Sequence, residues 1–174
     1  MPGLDEIFLD YSADKLKQLS SRIEDCLIKL TDEQIWMRGS DNENAVGNLV
    51  LHLSGNVRQW IVCSVGGAPD TRHRDSEFAA RGGQSSETLT ELLQQTIESA
   101  LVVIRSLNSD RLCEIVDVQD YRVTVLEAVY HAVEHFAGHT GQILFATKLL
   151  TGSDLGYYRH LSGAIPAARS DNTP

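Results

Sequence analysis

The sequence predicts an all-α protein: a four-helix bundle with a long crossover between its second and third helices and a small β-hairpin ahead of the fourth. Three observations lead there. Four segments of about 20 residues or more repeat apolar residues at three- and four-residue steps, the period of a helix with one buried face. Each is polar on its other side, and four such stripes are buried most economically against one another. The stretch from Gly66 to Ser85, rich in Gly, Arg and Asp, is longer than antiparallel neighbours need, so the second and third helices are expected to run parallel.

The first helix is expected from Leu4 to Leu30, with Phe8, Tyr11, Leu16, Leu19, Ile23, Cys26, Leu27 and Leu30 as its stripe. Thr31 to Gln34 then carries a capping-box pattern that starts a short turn. The second helix covers Ala45 to Val65, its inward side formed by Val46, Leu49, Leu53, Val57, Trp60 and Ile61, with Gly66-Gly67 ending it. The third runs from Ser86 to Leu107; its stripe has no histidine and no clustered charge, so it forms core only. Ile115 to Val123 alternates around Gln119-Asp120, which predicts the hairpin. The fourth helix begins at Thr124, whose hydroxyl caps it while Glu127 reaches back, and ends near Thr151 with Gly152 at the stop position.

With 174 residues the chain suits one domain, expected over residues 1–165 and followed by a flexible polar tail over 166–174. A formal net charge of −9 gives no electrostatic footprint for nucleic acid or an anionic membrane. Cys26, Cys63 and Cys113 form no C-x-x-C pair and read as reduced thiols. The opening residues lack a signal-peptide pattern, and no apolar run is long enough to span a bilayer. A cytoplasmic protein acting on a small-molecule substrate, with neither nucleic acid nor membrane as partner, is the expectation.

The chemistry gathers in the histidines. His131, His135 and His139 step by four residues along the fourth helix, and His52 stands in the middle of the second. On a helical wheel, His135 and His139 fall within the arc of Val125, Ala128, Val129, Ala132, Phe136 and Ile143, whereas His131 lies outside it towards Glu127 and Glu134. An i, i+4 histidine pair converges on one ion, and neutral imidazole suits Zn²⁺ or Ni²⁺. His52 is the third ligand available from another helix. A lone buried histidine is usually satisfied by ordinary hydrogen bonds; three without an ion would need a partner for every ring nitrogen. His131 to His135 also matches the H-x-x-E-H zinc-protease pattern, but Glu134 falls on the polar arc and too little chain follows for that fold.

Asn56 and Gln59 lie on turns adjoining His52, and Gln142 lies one turn beyond His139; these are candidates for orienting ligands or substrate. No inward carboxylate is expected beside the histidines. The crossover Asp70 to Asp75 reads first as a solvated charged loop; in a second reading it folds over the site and offers Arg72, Arg74 or Arg81 to an anionic substrate.

The segment His135-Phe-Ala-Gly-His139-Thr-Gly-Gln142-Ile143 is similar to an H-x-x-x-H-x-G-Q-I signature, and Asn48 to Asn56, centred on His52, is similar to its companion motif. Through these residues the chain resembles the DinB/YfiT-like family of metal-binding bundle proteins over roughly Leu4 to Gly152. The resemblance implies a four-helix bundle with a parallel middle pair, a metal site of His52, His135 and His139, and frequent homodimers. That family includes thiol-dependent S-transferases, a maleylpyruvate isomerase and proteins described as metal-dependent hydrolases. Gly138 departs from the bulky residue often found between the last two ligands and, with Gly141, leaves a small-residue strip on the outer side of the helix. The expected function is therefore metal-dependent transfer of a low-molecular-weight thiol to a small electrophile. Hydrolysis is the alternative reaction, and a non-catalytic metal-binding or stress-response scaffold is the alternative class.

Overall fold

The computed structural model describes residues 1–161. The tail expected over 166–174 and the end of the expected domain lie outside them.

Helix α1 covers Leu4–Lys29 and a single turn, α2, covers Asp32–Ile35. Thr31 caps α2 reciprocally: its Oγ1 accepts from Gln34 N–H at 3.2 Å while Gln34 Oε1 accepts from Thr31 N–H at 3.0 Å. The second long helix is in two parts, α3 over Val46–Val57 and a π-helical segment over Arg58–Val65. A uniform α-helix is thus corrected to one with wide final turns, in which Gly66 N–H reaches back to Ile61 O at 2.9 Å. The crossover is also corrected from an open loop: it contains helix α4, Arg74–Ala79, and packs on α3. Helix α5, Ser86–Arg105, is capped by Ser85 and leads through the turn α6, Ser109–Leu112, to the hairpin. Strands β1, Ile115–Val118, and β2, Tyr121–Thr124, pair antiparallel, with Val116 opposite Val123. Gln119 and Asp120 turn the chain with φ of 51° and 64°, the left-handed pair a two-residue hairpin needs.

The longest helix, α7, covers Val125–Thr151. Its Thr124–Glu127 capping box forms as the spacing predicts, and Gly152 ends it in the left-handed region at φ 65°. α1 packs on α5 and α7, and α3 packs on the same two, which closes the four-sided bundle. Leu16, Ile23, Leu53, Ile61, Leu89, Leu93, Ile104, Phe136 and Ile143 fill its centre and are fully buried.

The long crossover makes α3 and α5 parallel, as their anchors demonstrate. Near the start of α3, Trp36 packs on Gly47 and donates from Nε1 to Gln84 O, just ahead of α5, at 2.9 Å. At the far end, a Cβ added to Gly66 would stand 2.8 Å from Val103 Cγ2, close to the end of α5. Starts lie together and ends lie together. Among the described residues no helix is long and apolar enough to cross a membrane.

Candidate metal centre

The bundle brings His52 of α3 against His135 and His139 of α7. One ring nitrogen from each lies within 4.8 Å of the others, and His52 Nε2 stands 2.9 Å from His135 Nε2. Helical spacing supplies the pair on α7, and packing of α3 on α7 supplies the third ring. His52 is buried and the other two are partly buried.

Burial favours the neutral form of His135 and His139. It pushes His135 down from 6.5 to about 4, helped by the neighbouring His139, His52 and His131 and by Arg72. Burial lowers His139 too, against a hydrogen bond to Gln142 that raises it. Three imidazole nitrogens brought this close fit a divalent ion of the Zn²⁺ or Ni²⁺ kind, and the trio contains no carboxylate to select a harder cation.

The other ring nitrogens are held from behind. His139 Nδ1 and Gln142 Oε1 are 2.9 Å apart, where the amide oxygen accepts an N–H and leaves His139 Nε2 unprotonated. His52 Nδ1 lies 3.1 Å from Glu77 Oε2 and equally near Arg72 Nη2. Arginine only donates and an ionised carboxylate only accepts, so the Nδ1 proton goes to Glu77, while Arg72 is already satisfied by the same carboxylate. Nε2 of His52 is then the acceptor turned towards the cluster, an arrangement in which a carboxylate orients a metal-binding histidine.

Glu77 corrects the expectation that no inward carboxylate accompanies the histidines. It is supplied by α4, is 9% exposed, and pairs with Arg72 through Nε at 2.7 Å and Nη2 at 2.8 Å. Burial pushes its carboxyl up, but the hydrogen bonds from Arg72 and His52 outweigh this and hold it below the usual range. Arg72 is likewise no solvated residue: its side chain is 4% exposed and it also donates to Gln59 Oε1 at 2.9 Å. The approach of this pair requires Gly55, where a Cβ would overlap Glu77 Oε1 and stand 2.9 Å from Arg72 Nε. Asn48 anchors the same segment, donating from Nδ2 to Glu77 O at 2.8 Å and Ala80 O at 3.0 Å. Arg81 does not face the site; it donates to the carbonyls of Phe78, Ala79 and Ala80.

A cavity of about 480 Å³ opens beside His52 and His135, lined also by Asn56, Trp60, Arg74, Gln119, Tyr121, Val123, Glu127 and His131. His131, placed outside the inward arc by the helical wheel, is outside the trio yet forms part of this wall, its ring 3.9 Å from that of Trp60. Asn56 Oδ1 and Trp60 Nε1 are buried without a hydrogen-bond partner, a condition that costs about 1–3 kcal/mol per group. Gln59 is not among the residues lining the cavity but bonds to Asp70 at 2.6 Å, to Arg72 at 2.9 Å and to the lining residue Gln119 at 2.5 Å.

The imidazoles give the metal-free protein a definite acid response. His135 takes up its proton at about 4 when folded against 6.5 when unfolded, so the unfolded chain binds more protons between those values. Stability is therefore full above the upper value and declines as pH falls towards the lower one. Thermal unfolding of chelator-treated protein from about pH 7 to about pH 4 is expected to show this decline, and a smaller one in His135→Gln. Equal slopes in both proteins would exclude His135 as a source.

A family model described as a protein of unknown function, DUF1572, matches residues 4–165. No curated protein matches the chain by sequence. Among solved structures, the chain is similar to a conserved protein from Enterococcus faecalis, at 16% identity and TM-score 0.69, covering 83% of this chain and 97% of that one. It is similar to the DinB-like protein YjoA of Bacillus subtilis, at 15% identity and TM-score 0.65, covering 85% and 97%. A DinB-like protein of Bacillus cereus is similar at 14% identity and TM-score 0.59, covering 87% and 91%. At such identities the likeness is one of fold. The family match over nearly the whole chain establishes that this protein belongs to the DUF1572 family, and its fold is that of the DinB-like proteins.

Proposed function

We propose that this protein binds one divalent ion, Zn²⁺ or Ni²⁺, through His52, His135 and His139, and transfers a low-molecular-weight thiol to a small electrophilic substrate. The observation that carries the metal site is the convergence of three ring nitrogens within 4.8 Å, beside a cavity large enough for a substrate. Held by His52, His135 and His139, a divalent ion would supply the positive charge that lowers the pKa of a thiol. The protein's own groups then do the positioning. Glu77 fixes the His52 ring, Gln142 fixes that of His139, and Asn56 and Trp60 face the reactants from α3 and its π-helical end. In the transfer the sulfur forms a bond to the electrophilic carbon, the leaving group departs with its electron pair, and the thiol proton passes to solvent.

The deciding measurement is the visible spectrum of Co²⁺-loaded protein as a small thiol such as cysteine is added. A spectral shift that saturates supports the transferase. An unchanged spectrum in a protein whose melting temperature collapses on chelation points instead to a structural ion and a scaffold.

Free Cys26, Cys63 and Cys113 support a reducing, cytoplasmic setting. A homodimer through α7 belongs to the same proposal. Leu126, Tyr130, Phe145 and Leu149 are exposed along one face, beside Gly138 and Gly141, where an added Cβ meets nothing within 4 Å. Sedimentation of wild-type protein is expected to give a dimer and Phe145→Glu a monomer; a monomeric wild type overturns this.

A further inference from the structure

The cavity beside the histidines is built for a particular class of molecule. Its aromatic surface comes from three elements: Trp60 on the π-helical segment, His131 on α7 and Tyr121 on β2, with the rings of Trp60 and Tyr121 6.3 Å apart. The Tyr121 ring is 61% exposed and so offers a face to an incoming molecule. Its volume of about 480 Å³ lies within the range of about 300–1,000 Å³ usual for small ligands.

The wall carries one charge of each sign. Glu127 lines the cavity at the start of α7, where its Oε2 accepts from Thr124 N–H and Oγ1–H, both at 2.7 Å, and these bonds hold the capping carboxylate ionised. Arg74 lines it from α4, its guanidinium 4.9 Å from the Phe78 ring centre, and among the described residues it pairs with no carboxylate. Asn56 and Trp60, both at least nine-tenths buried, line the same wall with an unpartnered acceptor and an unpartnered donor. The π-helical turns begin just after Asn56 and carry Trp60, and wide turns of this kind concentrate at functional sites.

We propose that the cavity binds a small planar aromatic acid bearing a hydroxyl or amino group. The acid group meets the Arg74 guanidinium, the ring lies against Trp60 and Tyr121, and the polar substituents satisfy Asn56 Oδ1 and Trp60 Nε1–H. This goes beyond the proposed function, since such an acid carries no leaving group and is a ligand of the cavity and not the electrophile; it rests on that reading only for the ion's added attraction to the anion. Arg74 and the ring surface recognise the molecule with or without metal.

The probes are three matched compounds: 4-hydroxybenzoate, the uncharged 4-hydroxybenzyl alcohol and the non-planar trans-4-hydroxycyclohexanecarboxylate. Each is titrated by ligand-detected NMR into Zn²⁺-loaded and chelator-treated protein, wild type and Arg74→Gln. The expected result is that 4-hydroxybenzoate binds at least about tenfold more tightly than either control in both forms, and that Arg74→Gln removes its advantage over the alcohol. Arg74 is exposed at the start of a short surface helix, so the variant keeps the fold. The proposal is overturned if none of the three binds, if the acid and alcohol bind equally, if planarity makes no difference, or if Arg74→Gln is silent. Should Zn²⁺ fail to bind while the acid preference persists in the chelated protein, the metal reading fails and this one stands.

Discussion

Titrated with Co²⁺, His52→Ala and His139→Ala are expected to lose stoichiometric metal binding. Each removes one of only three nitrogen donors, and the two that remain lie on different helices or on one side of the ion. The affinity lost should exceed the roughly 10- to 100-fold typical when a group behind a ligand is removed. Glu77→Gln provides that comparison: its amide oxygen can still accept from His52 Nδ1–H, but it lacks the charge that makes the ring a stronger donor. It should bind one ion about 10- to 100-fold more weakly. His131→Ala should bind close to wild type, because His131 belongs to the cavity wall and not to the trio. Full binding by His52→Ala would remove α3 from the centre and with it the proposed function.

The second large effect concerns stability without metal. Glu77→Ala leaves Arg72 charged and nearly buried, and loss of one partner from such a pair costs about 3–5 kcal/mol. For a chain of this size, about 3 kcal/mol corresponds to a fall of roughly 6–12 °C in melting temperature. Arg72→Met should cost a comparable amount by stranding the carboxylate. The double variant Arg72→Met/Glu77→Leu should recover much of the loss, since apolar groups of similar volume need no partner. Thermal unfolding of the three chelated variants beside wild type measures this, and single substitutions within about 0.5 kcal/mol of wild type would show that the pair does not hold the crossover.

These effects fall on residues that were unequally visible in the sequence. The stripes of the long helices, the Thr124–Glu127 cap and the Gly152 stop are local signals, and local signals place helices. The inward pair His135 and His139 follows from spacing on one helix for the same reason. Glu77 and Arg72 lie in a crossover with no periodicity, so the sequence offers its folding over the site, with Arg72 turned inward, only as the second of two readings and does not single out Glu77. The even α-helical turns expected of the second helix give way from Arg58 to a π-helical segment, which changes the direction of every residue after it. Trp60, in that segment, stands on the cavity wall against His131, a ring the wheel of the fourth helix places outside the inward arc.

Gly55 gives these contacts an evolutionary dimension. An α-carbon with no side chain leaves room there for the acidic and basic partners against helix α3, so a Cβ at position 55 would displace the groups of 72 and 77. Relatives that carry even a methyl group at the first should hold the other two differently. When homologous sequences are aligned, these three columns, widely separated along the chain, should change as a unit.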